Sequence, residues 1–149
     1  MSLQADMVIQ GADGQPLAIV ELKNRKGLTK DVGVGIRRDL VGSHRFGARA
    51  PFLLLLSQEA GFLWTGPLAE SPDEPAYTFP MAEVIGHYLP ELLSDQWLAP
   101  DTLRLVVLQW LYDLIDGRRG QESEAERSLA DAGLLDALWR AKILEGAPA

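Results

Sequence analysis

Apolar and polar positions divide the first half of the chain into short runs of strand period. Met7-Val8-Ile9 is followed by Gly11-Ala12-Asp13-Gly14-Gln15-Pro16, a stretch rich in residues that tolerate positive φ, and then by Leu17-Ala18-Ile19-Val20. The pattern predicts a strand from Gln4 to Gln10, a turn, and a second strand from Leu17 to Lys23. Asn24-Arg25-Lys26-Gly27 breaks that strand, and Thr29 is placed to cap a helix running towards His44. Val32, Ile36, Leu40 and Val41 recur on it at helical spacing. Gly33, Gly35 and Gly42 each cost about 1 kcal/mol against alanine inside a helix. They weaken the helix or let it approach the sheet or a ligand closely. Pro51 introduces Phe52-Leu53-Leu54-Leu55-Leu56, whose unbroken apolar character suits a central strand buried on both faces. Phe62-Leu63-Trp64-Thr65 reads as one more strand.

The pattern changes after Gly66. Residues 66–80 hold Pro67, Pro72, Pro75 and Pro80 with Glu70, Asp73 and Glu74, and predict an irregular acidic loop. Met81 to Leu89 reads as a short helix stopped by Pro90. Asp101 to Asp116 predicts the best helix of the chain, with Leu103, Val106, Val107, Trp110, Leu111, Leu114 and Ile115 on one wide face. Leu105 and Leu108 extend that face, so burial on more than one side is expected. Ser123-Glu124-Ala125-Glu126 is a capping-box pattern before a last helical segment, with Gly133 as a break. The expected architecture is a single α/β domain. It has a mixed central sheet of about four strands with flanking helices and a helical C-terminal third, divided as a core over 1–65, a loop over 66–80 and a helical part over 81–149.

With 149 residues and 47% hydrophobic character, the chain can bury one sizeable core. Cysteine is absent, and His44 and His87 lack partners at zinc-ligand spacing, which excludes disulfides and disfavours zinc. No apolar run is long enough to span a bilayer and no signal-peptide pattern stands at the N-terminus, so a cytoplasmic protein without a membrane is expected. The net charge of −7 opposes a nucleic-acid partner, but its distribution does not. Eight of the 14 cations lie between Lys23 and Arg49, against Asp31 and Asp39 alone. They either solvate a surface helix or steer a phosphate.

That basic stretch begins at Glu21-Leu22-Lys23, where a carboxylate and an ammonium two residues apart share one strand face. Asp6 opens the partner strand, and the two acids and Lys23 are expected to cluster open to solvent. An acid on one strand, a hairpin, and acid-x-Lys on the next resembles the PD-(D/E)xK nuclease superfamily, the restriction-endonuclease-like fold, over residues 4–65. The stretch from Glu21-Leu22-Lys23-Asn24-Arg25 to Phe62-Leu63-Trp64 is also similar to small bacterial members of that superfamily. The resemblance implies metal-dependent cleavage of a phosphodiester, in DNA. Asp6, Glu21 and the backbone carbonyl of Leu22 would hold Mg²⁺ or Mn²⁺, and Lys23 would position the attacking water and offset developing charge. Phosphate contact is expected through Lys30, Arg37, Arg38 and Arg45.

The alternative is a catalytically inert protein of the same fold that binds nucleic acid or serves as an assembly subunit. The superfamily usually carries a helix ahead of the first strand, whereas five residues precede Asp6. With one sheet face short of its cover and an apolar helix too broad to hide, a homodimer is expected. Asp13 is either a turn residue or a substitute ligand. His44 beside Arg45 is either a solvated helix end or a phosphate contact. Trp97, Trp110 and Trp139 are expected in the core or at an interface, since no basic residues interleave with them as base stacking would require.

Overall fold

The computed structural model describes residues 6–42, 50–66 and 72–146. The hairpin forms as the turn chemistry predicts: β1 (Met7–Gln10) and β2 (Pro16–Leu22) pair antiparallel. Gly14 takes φ 83°, and the Asp13 carboxylate accepts from the Gln15 N–H at 2.9 Å. Asp13 is thus an exposed turn residue at the end of the hairpin away from Asp6. Helix α1 (Lys30–Gly42) starts at Thr29, whose hydroxyl accepts from the Val32 N–H at 3.4 Å. It carries the chain across to β3 (Phe52–Leu56), which lies parallel to β2. Strand β4 (Ala60–Thr65) returns antiparallel, and Leu53 to Leu56 are at most 1% exposed, as their unbroken apolar run requires.

Among the described residues the sheet has six strands, two more than expected. Strand β5 (Tyr77–Pro80) pairs with β4 at one edge, within the segment expected to be irregular. It is four residues long and ends on a proline, which an edge strand tolerates and a central one does not. Gly61 is needed here, since a Cβ would fall 2.1 Å from the Phe79 ring. Strand β6 (Lys142–Glu145) pairs antiparallel with β1 at the other edge. Arg140, at φ 60°, turns the chain just ahead of it. The resulting order is β5-β4-β3-β2-β1-β6.

Alternation along the strands sends side chains to two cores. Val8, Ile19, Leu53, Leu55, Phe62 and Trp64 face α1, where Val32 and Ile36 pack on them. Gly33 lies over Leu55 and Phe62, but an added Cβ would meet them at 3.6 Å, so the approach of helix to sheet does not demand glycine. Met7, Ile9, Ala18, Val20, Leu54 and Leu63 face the other way. They meet α2 (Ala82–Tyr88), α3 (Pro100–Ile115), α4 (Glu124–Asp131) and α5 (Leu134–Ala137). The C-terminal helices therefore fold back over the sheet. Within α3, Leu103, Val106, Val107, Trp110, Leu111 and Leu114 are buried, while Leu105 and Tyr112 are exposed. Trp139, expected in a core or interface, is 65% exposed with Arg140 over its ring. No helix among the described residues is long and apolar enough to cross a membrane.

Candidate active site

Pairing of β1 with β2 sets Met7 opposite Val20, so one step outward Asp6 stands opposite Glu21. Both lie on the α1 side of the sheet, the side of Val8 and Ile19. The hairpin thus brings two carboxylates together from positions fifteen residues apart in the chain. Asp6 is half-buried, and its Oδ2 accepts from the Leu22 N–H at 2.8 Å, which fixes the carboxylate against β2. Lys23 follows two residues after Glu21, with its Nζ 4.0 Å from Glu21 Oε2 and 41% of its side chain exposed. Leu22, whose carbonyl is the further ligand implied by the resemblance, sits between them with its N–H held by Asp6.

Glu21 is 6% exposed, which departs from the open, solvent-facing acid expected from the sequence. Its neighbour across the parallel pair is Leu55, followed on β4 by Phe62, so one flank of the carboxylate is apolar. Burial is the largest influence on its ionisation, and the charge of Asp6 is the next; together they push the carboxyl up to about 7. The Lys23 ammonium and the backbone N–H of Asp6 pull the other way without prevailing. Near neutral pH this glutamate exchanges a proton, and it faces a second carboxylate that disfavours its charge. A cation seated between the two would relieve that repulsion. Among the described residues no third histidine, cysteine, aspartate or glutamate joins them. Two carboxylates suit Mg²⁺, which keeps several waters and takes substrate oxygens, better than a cation needing an all-protein cage.

The basic residues expected to meet phosphate are distributed differently. Lys30 pairs with Glu74 at 3.2 Å. Arg37, only 3% exposed, meets Asp73 at 3.2 Å, and Arg38 reaches the same carboxylate through Nη2 at 2.8 Å and Nε at 3.2 Å. The Trp64 indole N–H donates to the Asp73 carbonyl at 2.8 Å and anchors that segment. Arg45 and His44 lie outside the described residues. The acidic loop read from the sequence thus supplies counter-charges for α1, a pairing across about 36 residues of chain that no local pattern reveals. Arg25 is exposed and enters no ion pair among the described residues. It lines a small cleft with Lys23, Ile36, Asp39 and Leu40.

A second polar cluster lies on the far side of the sheet. Glu126 accepts from the Trp110 indole at 2.6 Å, from Arg119 at 2.8 and 3.0 Å, and from the Ser123 N–H at 2.7 Å. Tyr88 donates to Asp113 at 2.6 Å, and Gln109 donates to the other oxygen of that carboxylate at 2.9 Å. The capping box forms as expected, but its glutamate also ties α3 to the segment before α4, which the four-residue pattern does not reveal. The chain matches no protein-family model, no curated protein and no solved structure.

Proposed function

We propose that this protein is a metal-dependent nuclease of restriction-endonuclease-like fold that hydrolyses phosphodiester bonds of DNA. The observation that carries the reading is the buried Glu21 carboxyl set directly across the hairpin from Asp6, with Lys23 beside it. Asp6, Glu21 and the Leu22 carbonyl would hold Mg²⁺ or Mn²⁺. The bound cation would supply electrophilic charge to the phosphate and to the attacking water. Asp6, fixed by the Leu22 N–H, keeps one carboxylate oxygen directed by the backbone. Glu21 gives up its proton to enter the site as an anion. Lys23 donates to the water or to a phosphate oxygen and offsets charge as the phosphorus becomes pentacoordinate. The water oxygen bonds to phosphorus as its proton passes to solvent, the P–O bond to the leaving sugar oxygen breaks, and that oxygen takes a proton from solvent.

The test is cleavage of labelled DNA with Mg²⁺ or Mn²⁺ by wild type, Asp6→Asn, Glu21→Gln and Lys23→Met. Loss of cleavage in all three variants, with folding retained, supports the reading; cleavage that survives Glu21→Gln overturns it. A second reading is an inert nucleic-acid-binding or assembly subunit, and one observation favours its assembly form over DNA processing: Lys30, Arg37 and Arg38 are engaged by Glu74 and Asp73, which leaves less charge on α1 for phosphate. Nucleic-acid binding without turnover in any divalent metal would decide for it. The homodimer now rests on narrower ground, since α3 is largely covered within the chain and Leu105 and Tyr112 are what it leaves exposed. Light scattering at low micromolar concentration checks it, with twice the monomer mass expected.

A further inference from the structure

We infer that Arg25 is a phosphate-positioning residue of the site: in the cleft it shares with Lys23 it holds the phosphate next to the scissile one on the cleaved strand. The inference rests on the nuclease reading and deepens it. Of the residues expected to meet phosphate, Lys30, Arg37 and Arg38 are engaged by Glu74 and Asp73. Arg25 is not one of them; it is exposed and enters no ion pair among the described residues. Lys23 joins its cleft to the acids. The Lys23 ammonium stands 4.0 Å from Glu21 Oε2 and also lines, with Arg25, Ile36, Asp39 and Leu40, a cleft of about 340 Å³. Ile36 and Leu40 belong to the core between α1 and the sheet, the side on which Asp6 and Glu21 lie. Two residues of chain span at most roughly 7 Å, so Arg25 stands one step beyond the ammonium that serves the scissile phosphate.

The segment after β2 sends its side chains to two sides. Asn24 donates to the Leu98 carbonyl at 2.5 Å and the Lys26 ammonium stands 5.6 Å from the Trp97 ring centre, towards the C-terminal helices. Lys23 and Arg25 go to the α1 side. The Arg25 N–H donates to the Lys23 carbonyl at 2.8 Å, a tight turn that keeps the two cations together. Beyond them the Gly27 N–H donates to Glu59 at 3.2 Å, and Leu28 is buried under α1. The backbone that carries Arg25 is thus tied on both sides before any substrate arrives, and binding has only the side chain to order.

The lining of the cleft suits an anion. Two cations face one acid, Asp39, which weakens their field without cancelling it. The guanidinium presents a planar fork that matches two oxygens of one phosphate, which an ammonium cannot do. A phosphate beside the reacting one changes little as the P–O bond breaks, so holding it strengthens substrate and transition-state binding alike. Arg25 therefore acts on KM, whereas Lys23 acts on the chemical step.

The test is steady-state cleavage, with Mg²⁺ or Mn²⁺, of DNA whose cut position has been mapped with wild type. The DNA carries natural phosphates, or an uncharged methylphosphonate at the first phosphate on one side of the cut or the other. Arg25→Ala is expected to raise KM on natural DNA roughly tenfold and to leave kcat within about twofold. Arg25→Lys should recover part of that loss, since it keeps the charge and gives up the fork. In wild type a methylphosphonate at one of the two positions should raise KM by a similar factor. In Arg25→Ala the same replacement should add less than about twofold, because the two changes remove one contact. Losses that multiply at both positions, an unchanged KM in Arg25→Ala, or a loss confined to kcat overturns the inference and leaves the nuclease reading standing. If wild type cleaves no DNA with either metal, the nuclease reading fails and this inference fails with it.

Discussion

Two buried glutamates, one on each side of the sheet, meet opposite electrostatic fates. Glu126 is wholly buried, and burial alone would raise its pKa. Hydrogen bonds from Ser123, Trp110 and Arg119, with the charge of Arg119, outweigh that and hold it below the usual carboxylate range. Glu21 is nearly as buried but faces Asp6, and its carboxyl rises to about 7. Each oxygen of Glu126 has donors, and the guanidinium beside it balances the charge, so this carboxylate holds helices together. Glu21 has one weak cationic neighbour at 4.0 Å and a second acid across the hairpin. An arrangement that disfavours its own charge stabilises nothing in isolation. It is the kind found where a cation or a proton is handled.

The contrast can be broken most severely at Glu126. Removing one partner of a buried ion pair leaves the other uncompensated, so Glu126→Ala is expected to cost about 3–5 kcal/mol. Urea unfolding checks this, and a cost below about 1 kcal/mol would mean that the network contributes little to the fold. At Glu21 the expected sign is reversed. The folded state holds the Glu21 proton up to about pH 7, whereas an unperturbed glutamate releases it near 4.5. Between those values the native state binds more protons than the unfolded one, so this group's contribution falls as pH rises through the window. Glu21→Gln should therefore stabilise the protein relative to wild type by up to about 3 kcal/mol at pH 8, with the gain fading as pH falls from about 7 to 4.5. Paired unfolding curves at pH 4.5 and pH 8 give the difference directly. A gain that is the same at both pH values would contradict the raised ionisation.

A smaller effect is expected at Asp73. Its side chain is half exposed, so the ion pair with the exposed Arg38 contributes about 0–1 kcal/mol. Asp73→Asn releases positive charge on α1, and DNA affinity at low salt should rise several-fold with a steeper salt dependence. An unchanged affinity and slope would show that α1 takes no part in contact with phosphate.

The hairpin, the cap at Thr29, the fully buried β3 and the apolar face of α3 were all legible, because each depends on residues close together in sequence. So was the meeting of Asp6, Glu21 and Lys23, since a short turn and a period of two determine it. The edge strands were not. Tyr77-Thr78-Phe79-Pro80 looks like loop because its proline is tolerated only at an edge, and Lys142-Ile143-Leu144-Glu145 becomes a strand by pairing with β1 from the far end of the chain. Burial of Glu21 also escaped notice, because it depends on Leu55 and Phe62, which reach it only through strand pairing. Asp73 against Arg37 and Arg38, and Lys26 over Trp97, are products of tertiary structure in the same way.

Metal-dependent cleavage requires Asp6 and Glu21 to act together as one cation site. Titration calorimetry with Mn²⁺ at pH 8, on wild type, Asp6→Asn and Glu21→Gln, tests it most directly. Wild type should bind one ion per chain, with protons released as pH is lowered towards 7, and either substitution should remove the heat while the protein stays folded. Equal heats from all three proteins would contradict the account, because the ion would then be held elsewhere.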